Sequence, residues 1–287
     1  MAYVGLSESY IVLADRGMPS KIAFPKAKMA VAKALELDDT LGEVHVSLAV
    51  IKDTYEWDWV AAEREYKRAI ELNPGYATSH HWYSIYLSWL GGRHEEAIAE
   101  VRRALELDPL SLIINEALGF VLYFARQYDE AIEQLQKTLE LDPNFPDAHY
   151  TLGQVYLQKG MYQEATEEFQ KGIIHSGDSI STRGIAQLAS AYAAAGKRRE
   201  ALRVLDELME ESNRSYVSPA RIAIVYVWLG DKDQAFAWLE KAYQERSPLL
   251  PFVKEDPICD PLRSDPRFQD LLRRLNFPPQ KSAGQAP

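Results

Sequence analysis

The most regular feature of the sequence is a set of alanines that recur at nearly constant spacing. The seven alanines are Ala27, Ala62, Ala97, Ala131, Ala165, Ala201 and Ala235. An apolar side chain follows each of them after four residues, and a mostly small residue follows after seven. Positions separated by four and seven residues lie on one face of an α-helix. The pattern therefore predicts the same amphipathic helix seven times along the chain.

A second helix is predicted before each of these, because a small residue recurs about twelve positions before most of the alanines. These small residues are Ala49, Gly119, Gly153, Ala189 and Ala223. Glycine occupies the turn between the two helices in four units, at Gly91, Gly160, Gly196 and Gly230. Glycine at a helix end favours a left-handed residue that reverses the chain. Asn73-Pro74, Asp108-Pro109 and Asp142-Pro143 end the second helix, since proline cannot continue it. The predicted unit is helix, turn, helix.

The small, aromatic and proline positions of LGFVLYFARQYDEAIEQLQKTLELDP and LGQVYLQKGMYQEATEEF resemble the tetratricopeptide repeat. The resemblance covers residues 3–249, with about seven units that begin near residues 3, 42, 77, 112, 146, 182 and 216. It implies an all-α fold, a right-handed α-solenoid of helix-turn-helix units closed by a C-terminal capping helix.

A narrower resemblance is to the C-terminal repeat arrays of bacterial multidomain signalling proteins of the winged-helix, Ser/Thr kinase or cyclase type. It is carried by YEWDWVAAEREYKRAIELNP, SHHWYSIYL and DPLRSDPRFQDLLRRL. The sequence holds none of those effector modules, so we expect either a stand-alone array or a piece of a longer protein.

Three segments depart from the repeat. The first unit has about five extra residues around Pro19 to Pro25, which predicts a longer loop, and the second replaces its turn glycine with YEWDW, which predicts a reshaped turn. In residues 250–277 the prolines predict a segment that runs extended over the last unit, followed by a capping helix after Pro266. Residues 278–287 are predicted to be a disordered tail.

Composition narrows the classes of partner. The 42 acidic and 32 basic side chains give a net charge of -10, which argues against nucleic-acid binding by this region. The sequence has neither a signal peptide nor a run of about 18 apolar residues, so we expect no membrane association and a cytoplasmic location. The single cysteine, Cys259, excludes an intramolecular disulfide and a thiolate metal cluster.

The candidate chemistry is sparse. His45, His80 and His149 occupy the same position of three units, which favours a structural role over a metal site. Neighbouring carboxylates such as Glu95-Glu96 fall on the polar faces of second helices, where solvation explains them. The phosphate-binding, zinc-protease and serine-nucleophile motifs do not occur. We therefore predict no enzyme activity, no cofactor and no metal.

The resemblance implies that the first helix of each unit lines a concave groove that binds a protein or peptide. The candidate partner-binding residues are His81, Ile85, Trp89, Glu116, Phe120, Phe124, Tyr150, Gln154 and Trp228. Their aromatic rings suit the apolar anchors of a peptide, although packing between neighbouring helices is the alternative role for each. The leading hypothesis is a non-catalytic interaction scaffold or sensory module. The alternative is homotypic self-association within a larger bacterial regulator.

Overall fold

The computed structural model describes residues 1–177 and 181–278 as a succession of helices that pair along the chain. The pairs are α1 (Ala2–Arg16) with α2 (Ser20–Leu37), α3 (Gly42–Ile51) with α4 (Trp59–Leu72), α5 (Ala77–Leu90) with α6 (His94–Leu107), α7 (Leu112–Phe124) with α8 (Tyr128–Leu141), α9 (Pro146–Gln158) with α10 (Tyr162–His175), α11 (Thr182–Ala194) with α12 (Arg198–Glu211), and α13 (Pro219–Trp228) with α14 (Lys232–Glu245). Each first helix begins within three residues of its predicted unit start. The predicted all-α solenoid is confirmed.

Small residues set the spacing between the helices of a pair. All seven periodic alanines are fully buried. At Gly153 a methyl group would lie 2.4 Å from the ring of Phe169, so only glycine lets α9 and α10 approach this closely. The turn glycines Gly160, Gly196 and Gly230 have φ of 74°, 73° and 75°, the left-handed conformation that the turn prediction requires.

The repeated histidines join the two helices of a unit to the loop before it. Nδ1 of His149 lies 2.6 Å from Oε2 of Glu168 on α10, and its Nε2 lies 2.9 Å from the carbonyl oxygen of Pro143. His80 makes the same two contacts with Glu100 and Pro74, and His45 makes them with Glu65 and Asp39. The structural role predicted for this position is confirmed.

The fourth unit makes the same connection without charge. Asn115 donates through Nδ2 to the carbonyl oxygen of Pro109 at 3.0 Å, and Gln134 donates to Oδ1 of Asn115 at 3.0 Å. An amide pair thus replaces the imidazole and carboxylate in one unit of the same array. Comparing the two kinds of pair therefore separates the contribution of hydrogen-bond geometry to stability from the contribution of charge.

We expect His149→Ala to lower the free energy of unfolding by about 1–3 kcal/mol, because it removes a hydrogen-bond partner from the buried carboxyl of Glu168. The double variant His149→Asn/Glu168→Gln should recover most of this loss, since it copies Asn115 and Gln134. Urea denaturation at pH 7 measures both. A double variant no more stable than His149→Ala would contradict the equivalence of the two pairs.

The stability of the wild-type chain and of the double variant should depend differently on pH. Burial opposes ionisation of Glu168, but hydrogen bonds from His149 and Lys171 hold the pKa of its carboxyl below the ordinary 4.5. A carboxyl with a lowered pKa stabilises the folded state above its unfolded pKa, and this contribution disappears as pH falls through the folded value. Below about pH 4.5 the wild-type chain should therefore lose stability more steeply than the double variant. Parallel curves would show that Glu168 does not contribute.

The longer loop predicted in the first unit is wrong. Only three residues, Gly17 to Pro19, separate α1 from α2, and the extra residues lengthen α2 at its start. Pro25 lies inside that helix, where it removes one backbone hydrogen bond. The added turn buries Ala23 and Phe24 completely, and Phe24 stacks on Tyr55 with ring centroids 4.7 Å apart. This burial of apolar surface outweighs the missing hydrogen bond.

The reshaped turn predicted in the second unit is confirmed. A π-helix at Lys52–Glu56 extends α3, and Trp57 follows it in the left-handed conformation with φ of 58°. Asp58 then caps α4 by accepting a hydrogen bond from the backbone N–H of Ala61 at 3.1 Å. The bulge brings Trp57 against Tyr243 of α14, with ring centroids 5.0 Å apart.

The prolines of the closing segment predicted a chain that runs extended over the last unit, and this prediction is wrong. The segment forms two short 3₁₀ helices, Leu250–Lys254 and Pro257–Leu262, and then α15 (Pro266–Arg274). The predicted capping helix is confirmed, since Arg267 and Arg274 of α15 pair with Asp233 and Glu240 of α14 at 2.8 and 2.6 Å. The first 3₁₀ helix packs on α5 and α14 and contacts the π-helix of unit 2, and the second packs on α13 and reaches Tyr123 and Arg126 of unit 4. The predicted disordered tail lies, from residue 279 onward, outside the described residues.

Candidate functional site

The inner face of the array, formed by the first helices, is partly filled by the chain's own closing segment. Phe252 inserts among three aromatic residues of units 3 and 4. Its ring centroid lies 4.5 Å from that of Trp89, 5.8 Å from that of Phe120 and 5.9 Å from that of Phe124. Edge contacts of this kind add to the burial of apolar area. Three of the residues predicted to line a groove therefore pack against a segment of the same chain.

Polar contacts fix the segment beside this aromatic cluster. Tyr123 donates its hydroxyl to Oδ1 of Asp256 at 2.7 Å, in a buried position. Burial raises the pKa of Asp256, while the hydroxyl and the backbone N–H of Ile258 hold its charged form. Arg126 forms a forked ion pair with Asp260, with both N–O distances 2.8 Å. The segment is thus held at its middle by a buried hydrogen bond and at its end by an exposed ion pair.

The end of the chain also reaches the second unit. Trp59 donates its indole N–H to the carbonyl oxygen of Leu275 at 2.9 Å and stacks on Phe277 with centroids 4.4 Å apart. After α14, the guanidinium of Arg246 lies 4.3 Å from the ring centre of Trp57. These contacts join the seventh unit to the second, so the array closes on itself.

The structure divides the predicted partner-binding residues into two groups. Five are buried: His81, Ile85, Trp89, Phe124 and Tyr150. The other four, Glu116, Phe120, Gln154 and Trp228, are partly exposed. Burial lowers the pKa of His81 to about 4, so this imidazole is neutral at pH 7. A neutral, buried imidazole can pack next to the indole of Trp82, and the two ring centroids lie 5.2 Å apart.

A polar cluster borders the inner face between units 4 and 6. Oε1 of Glu116 accepts a hydrogen bond from the hydroxyl of Thr151 at 2.5 Å. Arg183 pairs with Asp147 at 2.6 Å and lies 4.9 Å from the ring centre of Tyr150. Burial, with the nearby charge of Asp147, raises the pKa of Glu116 to about 7. Glu116 thus borders the candidate surface as a carboxyl whose pKa lies above its ordinary range.

An open cavity of about 220 Å³ remains on the inner face of units 4–7. Its walls come from α7, α9, α11 and α13 on one side and from the closing segment on the other. The predicted residues Phe120, Phe124, Gln154 and Trp228 line it. Sequence reasoning missed Gln187 of α11. This residue follows Arg183 by one helical turn, so applying the helical spacing to α11 would have identified it.

Phe252, which also lines the cavity, was missed as well. The only signal for it was the apolar content of PLLPFVKEDPICDPL, which needs a surface to cover it.

Three family models match parts of the chain. One, described as TPR repeat, covers residues 127–160, and two, described as tetratricopeptide repeat, cover residues 58–111 and 146–178. The chain contains tetratricopeptide repeats. None of these family models describes an enzyme, and proteins with such repeats generally mediate protein–protein interactions. A search of curated protein sequences finds no match.

Solved structures of other tetratricopeptide-repeat proteins share the fold. PilW, a widely conserved type IV pilus biogenesis factor, is 21% identical, with 73% of this chain and 95% of that chain covered and a TM-score of 0.55. The Cut9–Hcn1 hetero-tetramer of APC/C is 17% identical, with 94% and 48% covered and a TM-score of 0.59. The human IFIT1 dimer with PPP-AAAA is 17% identical, with 88% and 61% covered and a TM-score of 0.59. At these identities the similarity establishes the repeat fold alone.

Two further observations concern the described residues only. Histidine, cysteine and carboxylate side chains form no group of three or more that could hold a metal ion. Among the helices of residues 1–177 and 181–278, none combines the length and apolar character needed to cross a membrane.

We expect Phe252→Ala to lower the free energy of unfolding by about 2–4 kcal/mol, because it opens a gap among Trp89, Phe120 and Phe124. Asp260→Asn, which breaks the exposed fork to Arg126, should lower it by less than about 1 kcal/mol. Both residues connect the same segment to the array, so each variant serves as a control for the other. Equal small losses in urea denaturation would show that the segment does not pack on the aromatic cluster in solution.

Proposed function

We propose that the chain is a non-catalytic, cytoplasmic protein–protein interaction scaffold that binds a peptide or protein on the inner face of the repeats. The observation that supports the proposal is the seating of Phe252 among Trp89, Phe120 and Phe124, because an aromatic anchor of a proline-rich segment already occupies part of this face. The rest of the face, around Gln154 and Trp228, remains open. A partner binds there without displacing the closing segment.

The proposal is tested by affinity capture from a lysate of the native host, followed by mass spectrometry. The variant Gln154→Ala/Trp228→Ala should lose the partner, because it removes an amide and the largest apolar contact from the open part of the inner face. Leu110→Ala, at a side chain that is 76% exposed in the loop before α7, serves as the control and should capture as the wild-type chain does.

Two results would count against the proposal. A wild-type chain that captures no partner at physiological salt would argue against an interaction scaffold. Equal capture by the wild-type chain and a correctly folded double variant would place binding on another surface. Circular dichroism at far-ultraviolet wavelengths, with thermal unfolding, checks the fold of each variant.

Self-association is a second candidate function, and it is favoured by an apolar face on α1. Tyr3, Leu6 and Leu13, spaced by three and seven residues, lie on one side of this helix and are 41%, 44% and 41% exposed. Exposed apolar patches on a helix face mark sites of protein contact. A second copy that packs on this face would bring attached domains together.

If this face mediates self-association, the wild-type chain should behave as a dimer in light scattering coupled to size exclusion. Leu6→Lys/Leu13→Lys should make it monomeric, because two desolvated ammonium groups oppose the contact. Leu110→Lys, at a leucine that is 76% exposed on the loop before α7, is the control and should stay dimeric. A wild-type chain that remains monomeric at high concentration would remove this candidate.

A further inference from the structure

The closing segment divides the inner face into a filled half and an open half. In units 3 and 4 the segment covers Trp89 and Phe124, which are 1% and 2% exposed. The cavity of about 220 Å³ lies between Phe252 and the helices α7, α9, α11 and α13. Phe252 and Ile258 form one of its walls. A long extended peptide that followed the whole inner face would collide with this wall, whereas a compact molecule would fit beside it.

The volume sets the size of the occupant. Pockets for drug-sized ligands measure about 300–1,000 Å³, so this cavity is too small for them. An engineered apolar cavity of about 150 Å³ in another protein binds benzene. A cavity of about 220 Å³ therefore fits one aromatic ring with a small polar substituent.

The lining gives the chemistry of the occupant. Phe120 and Trp228, which are both partly exposed, offer aromatic surface for a ring. Gln154, Gln187 and Trp228 each also carry a buried polar atom for which the described part of the chain supplies no hydrogen-bond partner. These atoms are Oε1 of Gln154, Oε1 of Gln187 and Nε1 of Trp228. Two are acceptors and one is a donor, and such groups are normally satisfied by protein, water or ligand. The complementary substituent offers both a donor and an acceptor.

The charges in the wall favour a neutral occupant. Arg183 pairs with Asp147 at 2.6 Å, and Arg221 also has an interaction partner. Asp256 accepts hydrogen bonds from Tyr123 and from the backbone N–H of Ile258. A charged molecule would lose its hydration beside Arg183 and Asp256, whose side chains already have partners.

We propose that this cavity binds a compact, neutral aromatic molecule that carries one amide-type group. The ring lies between Phe252 and Trp228, and the amide meets Gln154 and Gln187. The site goes beyond the proposed scaffold function, since it needs no protein partner. The cavity shares Gln154 and Trp228 with the surface on which a partner is proposed to bind, so a bound small molecule would act directly on that surface.

The test uses the full chain labelled with ¹⁵N at its tryptophan indoles and three probes of similar size. Benzamide has the ring and the amide, benzoate carries a charge, and toluene lacks the polar group. Trp228→Phe identifies the indole N–H resonance of Trp228. Benzamide should shift this resonance in a saturable manner and bind at least about tenfold more tightly than benzoate or toluene, the ratio that corresponds to one good hydrogen bond.

The variant Gln154→Leu/Gln187→Leu keeps side-chain size and removes both amides, so it should bind benzamide no better than toluene. Gln163→Leu, at an exposed residue of α10, is the matched control and should keep the wild-type preference. If the double variant does not fold, saturation-transfer measurements with Trp228→Phe replace it. Loss of the indole donor should then weaken benzamide binding about tenfold and leave toluene binding unchanged.

Three results would overturn the proposal. They are the absence of a saturable shift with benzamide up to its solubility limit, tighter binding of benzoate, and an unchanged benzamide preference in the glutamine double variant. The first would mean that the cavity holds only water. None of these results bears on partner capture, so a failure of this site is distinguishable from a failure of the scaffold function.

Discussion

The packing of the closing segment against the inner face is the constraint on which the rest of the structure depends. A repeat solenoid normally gains its stability from contacts between neighbouring units alone. Here Phe252 contacts units 3 and 4, and Phe277 stacks on Trp59 of unit 2. The hydrogen bond from Trp59 to Leu275 joins residues 216 positions apart. The second unit and the end of the described chain thus belong to one core, whereas the first unit has a core of its own.

This closure changes the role of the aromatic residues on the inner face. In an open array, Trp89 and Phe124 would line an accessible groove. In the closed array they form the receptor for an internal peptide, and the residues that stay partly exposed, such as Gln154 and Trp228, lie farther along the chain. The open surface is therefore displaced toward units 4–7, because the segment covers the inner face of units 3 and 4.

Local structure was predictable from the sequence wherever a position repeats. The periodic alanines are fully buried in every unit, and His45, His80 and His149 make the same pair of contacts. The destination of the closing segment was not predictable, because prolines remove its periodicity and apolar residues such as Phe252 do not specify which surface covers them. The extra residues before Pro25 were wrongly predicted to form a loop, because proline is typical of loops. Burial of Phe24 favours a helix there instead.

The closing segment forms one wall of the cavity. A change in the cavity can therefore act on the same segment that packs on units 3 and 4. A molecule in contact with Phe252 changes the free energy of the same side chain that packs on Trp89 and Phe124. The segment continues from Phe252 to Asp256, which Tyr123 holds, and on to the residues that pack on Trp59. Any ligand that binds better to one position of the segment than to another must shift its population. Coupling between the cavity and the second unit therefore requires only that the segment have two positions, since its contacts already span the array.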